Sequence, residues 1–346
     1  MKKKIIRSRA PLRLGLAGGG TDVSPYCDSY GGAILNVTIN KYAYASLTPR
    51  DDGQVVFNSV DLGCQEAFPA GQRVPDDSRL KLHRGVYNRM IAQYTEGRPL
   101  AVTVTTHVDA PQGSGLGSSS ALVVALVAAF CELLFIPLGE YDMARLAYDI
   151  ERADLGLAGG RQDQYAATFG GFNFMEFSAD ERVVVNPLRI RPHVHNELES
   201  SILLTFTGQS RESAAIISSQ SQSVTAGGAS LEAMHQLKIE AGEMKEALLF
   251  GSIDRVADIL RSGWEAKKRT AATVSTPEVE ALFDVVMRNG AKAGKLSGAG
   301  GGGFAMFIVD PDVRPYLQTI IAEKTTARPM VCNLLVEGVT TWTSAG

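Results

Sequence analysis

Cysteine, net charge and long apolar runs are all scarce in this chain of 346 residues. Its four cysteines, Cys27, Cys64, Cys131 and Cys332, form no Cys-x-x-Cys pair. That spacing argues against a zinc site or a disulfide framework and fits reduced thiols in the cytosol. The formal net charge is only −3, which argues against nucleic acid or an anionic membrane surface as the main partner. We therefore expect a cytoplasmic protein whose partner is a small molecule.

The sequence also lacks the pattern of a membrane-spanning or targeting segment. The longest apolar run, residues 121–136, is interrupted by Glu132 and falls short of the roughly 20 residues that cross a bilayer. We predict a buried helix there. The basic residues 1–7 are not followed by the apolar core of a secretory signal. No membrane partner is expected.

Length and composition predict two globular domains. The chain is long for one domain, and its 45% hydrophobic and 21% charged content is typical of soluble folded proteins. The polar stretch 187–199 contains two prolines together with His193 and His195, and we predict the domain join there. The domains would then be residues 1–195 and 196–346. A metal bound by the two histidines is the alternative, but no third ligand stands near them in the sequence.

Apolar periodicity predicts strands and helices in mixed order. Strands are expected from Ile5 to Leu14 and at 34–39, 42–47, 54–57, 100–106, 172–177, 182–186 and 202–208. The segments 34–39 and 42–47 are predicted to form a pair joined by a turn, and Arg211 is expected in the turn after 202–208. Helices are expected at 84–94, 143–150, 231–250, 253–264 and 277–289. The Ser-, Gly- and Ala-rich residues 218–230 are predicted to be a mobile surface loop.

Residues 111–121, with the sequence Pro-Gln-Gly-Ser-Gly-Leu-Gly-Ser-Ser-Ser-Ala, are the strongest functional signal. Their glycines let the backbone approach a ligand, and the apolar run that follows predicts a helix whose free N–H groups and dipole attract anions. The loop lacks the lysine of a P-loop and the context of a Rossmann turn. An ordinary Gly-Ser loop is the remaining alternative. The candidate phosphate-binding residues are Gly113, Ser114, Gly115, Leu116, Gly117, Ser118, Ser119 and Ser120.

Three further segments carry candidate site residues. Residues 14–22 place three glycines before a Thr-Asp pair, residues 158–171 contain Asp163, and residues 295–304 are a glycine-rich run before a strand. Glu151 lies at the margin of the apolar helix face that begins at Met143, where a carboxylate can lean into a cleft. Read alone, Asp163 could be a helix cap, Glu151 a solvated residue and the last glycine run a simple hinge.

Taken together, these segments resemble the motifs of the GHMP kinases, the superfamily of galactokinase, homoserine kinase, mevalonate kinase and phosphomevalonate kinase. The resemblance implies an α+β, two-domain fold, with an N-terminal ribosomal-protein-S5-like domain and a C-terminal ferredoxin-like domain. It also implies that residues 113–120 hold the ATP phosphates and that Ser119 and Glu151 bind Mg²⁺. Asp163 and Arg13 would be catalytic. The implied substrate-binding residues are Gly19, Gly20, Thr21, Asp22 and Asp163, and the implied third motif is Ser297, Gly298, Ala299, Gly300 and Gly301.

The chain departs from the family pattern at two points. In the galactokinase motif Pro-Gly-Arg-x-Asn-x-Ile-Gly-Glu-His-Thr-Asp, Arg13 and Asp22 match the arginine and the closing aspartate. Gly19 and Gly20 replace the Glu-His pair, so the residues that grip a galactose hydroxyl are missing. The spacing from Glu151 to Asp163 is one residue longer than in the mevalonate kinase pattern. Asp163 is therefore assigned by resemblance more firmly than Glu151.

The resemblance implies a kinase that transfers the γ-phosphate of ATP to the anomeric hydroxyl of a sugar phosphate. The implied substrate is a heptose 7-phosphate on the way to GDP-heptose for surface polysaccharide, with L-fucose as the alternative acceptor. Asp163 would accept the proton of the attacking hydroxyl, and orientation would be its larger contribution because an aspartate is a weak base. A non-catalytic sugar and ATP sensor and a mevalonate-diphosphate-type decarboxylase are alternatives from other classes. A distal phosphate should meet an arginine or lysine that the sequence does not identify.

Overall fold

The computed structural model describes residues 4–209 and 213–345, so Arg211 lies outside the described residues. Strands and helices alternate irregularly, which confirms the predicted α+β class. The strands are β1 (Lys4–Ala17), β2 (Gly32–Pro49), β3 (Gln54–Ser59), β4 (Cys64–Pro69), β5 (Val102–Val108), β6 (Phe172–Phe177), β7 (Val183–Pro187), β8 (Ile202–Phe206), β9 (Ala291–Leu296), β10 (Phe304–Val309), β11 (Arg328–Met330) and β12 (Thr340–Ala345).

The α-helices range from one short turn to a 22-residue helix. They are α1 (Tyr26–Tyr30), α2 (Lys81–Tyr94), α3 (Ser118–Leu134), α4 (Glu140–Asp149), α5 (Gln162–Phe169), α6 (Pro192–Ser201), α7 (Ser213–Ala226), α8 (Ala229–Phe250), α9 (Ile253–Thr270), α10 (Pro277–Arg288) and α11 (Arg314–Lys324). A π-helical turn at Ile150–Asp154 follows α4, and a 3₁₀ turn occupies Ala272–Val274. None of these elements within the described ranges is long and apolar enough to cross a bilayer.

Two sheets organise the chain. The larger has eight strands, with β12-β1-β2-β5-β3-β4 in order and the β6–β7 hairpin attached through β2. The smaller has four antiparallel strands in the order β11-β8-β10-β9. Helix α3 packs against β1 and β2, and α9 contacts both β1 and β9. The two sheets are therefore joined through packed helices, and the main apolar core runs from one to the other.

Strand β12 returns the end of the chain to the larger sheet. It pairs antiparallel with β1, from Lys4 opposite Ala345 to Arg9 opposite Thr340. The last strand thus lies beside the first, although the two are more than 300 residues apart in sequence. The division at residue 195 stays a prediction, and the sequence pattern did not reveal this pairing.

The predicted turn between 34–39 and 42–47 is wrong. Both segments belong to the single strand β2, which pairs with β1 along its length. Tyr42 lies opposite Pro11 while Ile39 lies opposite Leu12, so Asn40 and Lys41 are accommodated as a bulge. Proline has no N–H to give to the ladder, and the irregularity occurs where that donor is absent.

The predicted loop at 218–230 and the predicted linker at 187–199 are both largely helical. Helix α7 buries Ile216, Gln220 and Val224, which recur every fourth residue and form one helix face. Helix α6 buries Val194 and Leu198 with the same spacing. Serine-rich and proline-rich composition indicated irregular structure in these stretches, but burial of one face against the protein outweighs that local preference.

Helix α3 confirms the buried helix predicted from the apolar run. Every residue from Ala121 to Cys131 is buried, and the hydroxyl of Ser8 on β1 donates to the carbonyl of Ala125 at 2.6 Å. A helix that is apolar all round needs contacts on all sides, and α2, α4, α5 and the strands provide them. This packing fixes the position of the helix N-terminus at Ser118.

Candidate active site

A cavity of about 670 Å³ lies where the predicted motifs converge. The cavity is lined by Arg13, Asp22, Glu151 and Asp163. Residues of the loop at 111–117, the Gly-Ser loop, and Gly298 of the third motif also line it. Of the residues predicted for the site, the structure brings these to the cavity wall: Arg13, Gly20, Asp22, Gly113, Gly115, Gly117, Ser118, Ser119, Ser120, Glu151, Asp163, Gly298 and Ala299.

The remaining predicted residues lie around the cavity wall and make supporting contacts. Ser114 and Leu116 are buried, and their carbonyls accept from the N–H groups of Phe304 and Arg13, at 2.9 and 3.0 Å. The buried Thr21 hydroxyl bridges the carbonyls of Gly18 and Ala33. Gly19 accepts a hydrogen bond from Lys267, Ser297 contacts the Gly-Ser loop, and Gly301 donates to the carbonyl of Val274.

The Gly-Ser loop has a backbone that only glycine adopts readily. Gly113, Gly115 and Gly117 have φ angles of 70°, 79° and 74°, in the left-handed region. Helix α3 begins directly afterwards at Ser118, with Gly117 as its N-cap. The N–H groups of a first helical turn have no partner within the helix and point outwards. The loop therefore presents a positive helix end to the cavity, which suits a phosphate group.

The third motif packs against this loop. The Ser297 hydroxyl donates to the Gly115 carbonyl at 3.0 Å. A Cβ built on Gly115 would lie 2.3 Å from the Ser297 carbonyl oxygen, and one on Gly298 would lie 2.7 Å from the Gly115 Cα. Gly303 approaches Ser114 just as closely, although it was not among the residues predicted for this motif. Two glycine-rich backbones are thus in direct contact, which fixes the shape of the Gly-Ser loop.

Arg13 and Asp163 are held together beside the loop. Arg13 Nε and Nη2 lie 2.8 and 2.7 Å from Asp163 Oδ1, and Arg13 Nη1 donates to the Gly115 carbonyl. The arginine side chain is almost fully buried, whereas the aspartate is about one-quarter exposed. A Cβ on Gly117 would lie only 3.2 Å from the Asp163 carboxyl carbon. The carboxylate is therefore oriented at the cavity wall, next to the Gly-Ser loop.

The side chain of Asp22 lies against the N-terminus of α5. Its Oδ2 accepts from the N–H groups of Arg161 and Gln162, at 2.8 and 3.0 Å. Its Oδ1 is buried and has no hydrogen-bond partner within the described ranges. Burial raises the pKa of this carboxyl. A Cβ on Gly160 would clash with Asp22, so the Gly159-Gly160 pair in the sequence was the signal for this close approach. One buried acceptor oxygen of Asp22 is therefore left without a donor from the described residues.

Glu151 is buried in the π-helical turn that follows α4. Gln164 Nε2 donates both to its carboxylate and to the Ser120 hydroxyl, and Ser120 also hydrogen-bonds Glu151. Burial raises the pKa of Glu151, while the nearby Arg152 opposes the shift. The serine in contact with Glu151 is thus Ser120, whereas Ser119 lies partly exposed on the cavity wall.

This carboxylate suits a hard divalent cation. Glu151 and Asp163 are close enough for their charges to repel, and oxygen ligands such as carboxylates and hydroxyls are those that Mg²⁺ prefers. Gln164 orients Glu151 from behind and was not predicted from the sequence. Its position directly after Asp163 was the one available signal.

A family model matches a region within each half of the chain. Residues 81–171 match the model of the GHMP kinases N terminal domain, and residues 244–318 match that of the GHMP kinases C terminal domain. The first region contains the Gly-Ser loop, Glu151 and Asp163, and the second contains the third motif.

Similar proteins extend the comparison to nearly the whole chain. A D-glycero-alpha-D-manno-heptose 7-phosphate kinase of Campylobacter jejuni is 45% identical over 339 residues, covering 98% of this chain and 99% of that protein. The crystal structure of a D-glycero-D-manno-heptose 1-phosphate kinase from Bacteroides thetaiotaomicron has a TM-score of 0.83 at 44% identity, covering 97% and 98% of the two chains. An L-fucokinase/L-fucose-1-P guanylyltransferase of Bacteroides fragilis is 25% identical over 92% of this chain but only 36% of its own length.

Proposed function

The chain belongs to the GHMP kinase family and is a sugar kinase, and from this premise we propose that it phosphorylates D-glycero-D-manno-heptose 7-phosphate. The reaction transfers the γ-phosphate of ATP to the anomeric hydroxyl and gives the 1,7-bisphosphate, a precursor for GDP-heptose and surface polysaccharide. The observation that supports this substrate most strongly is the similarity to a heptose 7-phosphate kinase over 98% of the chain.

The Gly-Ser loop is proposed to hold the ATP phosphates. Three glycines with positive φ lead into the N-terminus of α3, where free N–H groups and the helix dipole favour negative charge. The contact between Gly115 and Gly298 keeps this backbone in place before ATP binds. Such preorganisation favours phosphoryl transfer because the enzyme's main contribution is positioning and charge stabilisation.

Asp163 is proposed to orient the anomeric hydroxyl and accept its proton. As O1 attacks the γ-phosphorus, the bond to the ADP oxygen breaks and the proton passes to the carboxylate. Arg13 occupies Oδ1, so Oδ2 is the oxygen assigned to the proton. The anomeric hydroxyl is more acidic than an ordinary alcohol, which makes a weakly basic carboxylate adequate.

Ser119 and Glu151 are proposed to hold Mg²⁺. The cation supplies positive charge at the phosphate oxygens of ATP when it is bound. Ser120 and Gln164 keep the Glu151 carboxylate oriented through hydrogen bonds, so that this residue meets the nucleotide in one position.

Asp22 is proposed to bind a hydroxyl of the acceptor sugar. The unpartnered Oδ1 is an acceptor in a buried position, and a buried acceptor without a donor is unfavourable until a ligand donates to it. Gly19, Gly20 and Thr21 shape the backbone beside this aspartate.

L-Fucose is the second candidate substrate, because an L-fucokinase aligns with 92% of this chain. A panel of sugars and sugar phosphates separates the two, with ADP formation as the rate measurement and NMR of the product anomer as the test of position. Turnover of heptose 7-phosphate to a 1-phosphorylated product is expected. Faster turnover of L-fucose, or no sugar-dependent ADP formation, would contradict the proposal.

A further inference from the structure

Lys267 on α9 is a buried cation that the proposed reaction leaves without a role. It is only 6% exposed, yet it lines the active-site cavity. Its Nζ donates to the carbonyl of Gly19 at 2.9 Å and lies 3.5 Å from Gln220 Oε1. Both acceptors are neutral. No carboxylate within residues 4–209 and 213–345 forms an ion pair with this ammonium, so its positive charge has no anionic partner at contact distance.

Gly20 makes room for this ammonium. A Cβ on Gly20 would lie 2.9 Å from Lys267 Nζ, so any larger residue at position 20 would compete with the lysine for the same space. This is the point at which the sequence replaces the Glu-His pair of the galactokinase motif by Gly19 and Gly20. Residues 18–22, the acceptor motif, therefore carry no side chain at positions 19 and 20, where a lysine from the second half of the chain enters.

The two arginines that line the cavity near residues 18–22 are already engaged. Arg13 is held by Asp163, and Arg152 donates to two main-chain carbonyls beside Glu151. Neither arginine donates to residues 18–22. Lys295, the other buried lysine nearby, donates to the carbonyl of Leu16 at 3.5 Å and is not among the residues that line the cavity. Among the cavity-lining cations of the described ranges, Lys267 is the one whose charged group donates directly to the acceptor motif.

The basic side chains at the other end of the cavity lie on or just before α2. Arg79 is paired with Glu66 and largely exposed, Lys81 is exposed at the start of α2, and the ring of His83 is buried against Thr106. These residues line the cavity together with Ser59, Asp61 and Leu62. They make no hydrogen bond to the acceptor motif in the part of the chain that the structure describes. They are therefore poorly placed to bind the acceptor sugar.

We propose that Lys267 binds the distal phosphate of the acceptor and thereby selects a sugar phosphate over the free sugar. This inference rests on the proposed function, because a distal phosphate is present only if the acceptor is a sugar phosphate. An ammonium with a free N–H and no bound anion is the group that a phosphate dianion pairs with, and the pair is strong in a buried site. Burial lowers the pKa of Lys267 to about 8, although the nearby charge of Asp22 opposes the shift. A bound phosphate would relieve the remaining penalty.

The test compares heptose 7-phosphate with the same heptose lacking the phosphate, in the wild-type protein and in Lys267→Met. The quantity measured is kcat/KM for each sugar, with KM for ATP followed in parallel. The ratio of the two kcat/KM values should fall about 10- to 100-fold in Lys267→Met, mainly through KM for the sugar phosphate, since a charge-assisted hydrogen bond is lost. Lys267→Gln, a second neutral replacement, should show the same change.

Lys268→Met is the matched control. Lys268 is the next residue on α9 and pairs with Glu265 and Glu280 instead of entering the cavity, so its replacement should leave the ratio within about twofold of wild type. Equal losses on both sugars in the two Lys267 variants, or a raised KM for ATP with an unchanged ratio, would overturn the inference. A wild-type protein that does not prefer the phosphorylated heptose would instead refute the proposed substrate, and the role of Lys267 with it.

Discussion

Nε and Nη2 of Arg13 both contact a single oxygen of Asp163, Oδ1, at 2.8 and 2.7 Å. The other oxygen, Oδ2, lies 3.3 Å from where a Cβ on Gly117 would be and receives no hydrogen bond within the described residues. The two oxygens of one carboxylate thus have different surroundings. One is fixed by the guanidinium, and the other lies at the end of the Gly-Ser loop beside Gly117.

Replacing Asp163 by alanine is expected to lower kcat about 10²- to 10⁴-fold, the usual contribution of a positioned general base. ATP binding should persist because the loop contacts do not depend on this side chain. Steady-state kinetics and nucleotide titration measure the two effects separately. Undiminished turnover in Asp163→Ala would refute the assignment.

Arg13→Lys is expected to lower kcat about 10- to 100-fold, because lysine cannot make the two-point contact that orients Asp163. Arg89→Lys is the matched control. Arg89 makes a two-point contact with Asp154 at 2.7 Å on a partly exposed surface. Neither of these residues lines the cavity, so the replacement should change kcat by less than about twofold. Similar losses of kcat in both variants would mean that Arg13→Lys lowers activity by destabilising the fold and not by releasing Asp163.

Gly115→Ala is expected to destabilise the protein by at least about 2 kcal/mol more than Gly53→Ala. Both glycines have a φ angle near +75°, at 79° and 70°, so the two variants share the backbone strain. Only at Gly115 would the added Cβ meet the Ser297 carbonyl, at 2.3 Å, while Gly53 has open space. Denaturant unfolding compares the two. Equal destabilisation would show that the loop and the third motif can move apart freely.

Glu151→Gln is expected to raise the Mg²⁺ concentration for half-maximal activity about tenfold or more, because it removes the charged ligand and leaves a hydrogen-bonding group of the same size. Ser119→Ala should shift the requirement in the same direction. Glu132→Gln, at the far end of α3, serves as the control. A magnesium titration in which Glu151→Gln matches wild type would exclude Glu151 as a ligand.

The preference for the phosphorylated heptose should depend on pH. Lys267 binds an anion only when protonated, so the ratio of the two kcat/KM values should be high below its pKa of about 8 and fall as the pH rises through that value. The charged groups around it are Asp22, Lys295 and Glu240. Any titration that changes both kcat/KM values by the same factor cancels in their ratio. The phosphate of the substrate has a pKa near 6, below that of Lys267, so it does not cause the fall. In Lys267→Met this fall should be absent, and a fall that persists would assign it to another group.

The sequence by itself determined the parts of the site that depend on local chemistry. Glycines at 113, 115 and 117 followed by an apolar helix predict a loop that can bind phosphate, because backbone freedom and a helix N-terminus are properties of neighbouring residues. Asp22 and Asp163 were assigned through the resemblance of their short motifs to those of the GHMP kinases. The structure brings all of these residues to one cavity.

Only the tertiary structure decided the contacts between distant segments. Lys267 contacts Gly19 from a helix some 250 residues further along the chain. Gly303 packs against Ser114, and β12 pairs with β1. Helix α7 formed where the composition suggested a loop, because one of its faces is buried. A local sequence pattern indicates the secondary structure that a segment prefers. These features depend instead on which surfaces come into contact when the two sheets and their helices pack together.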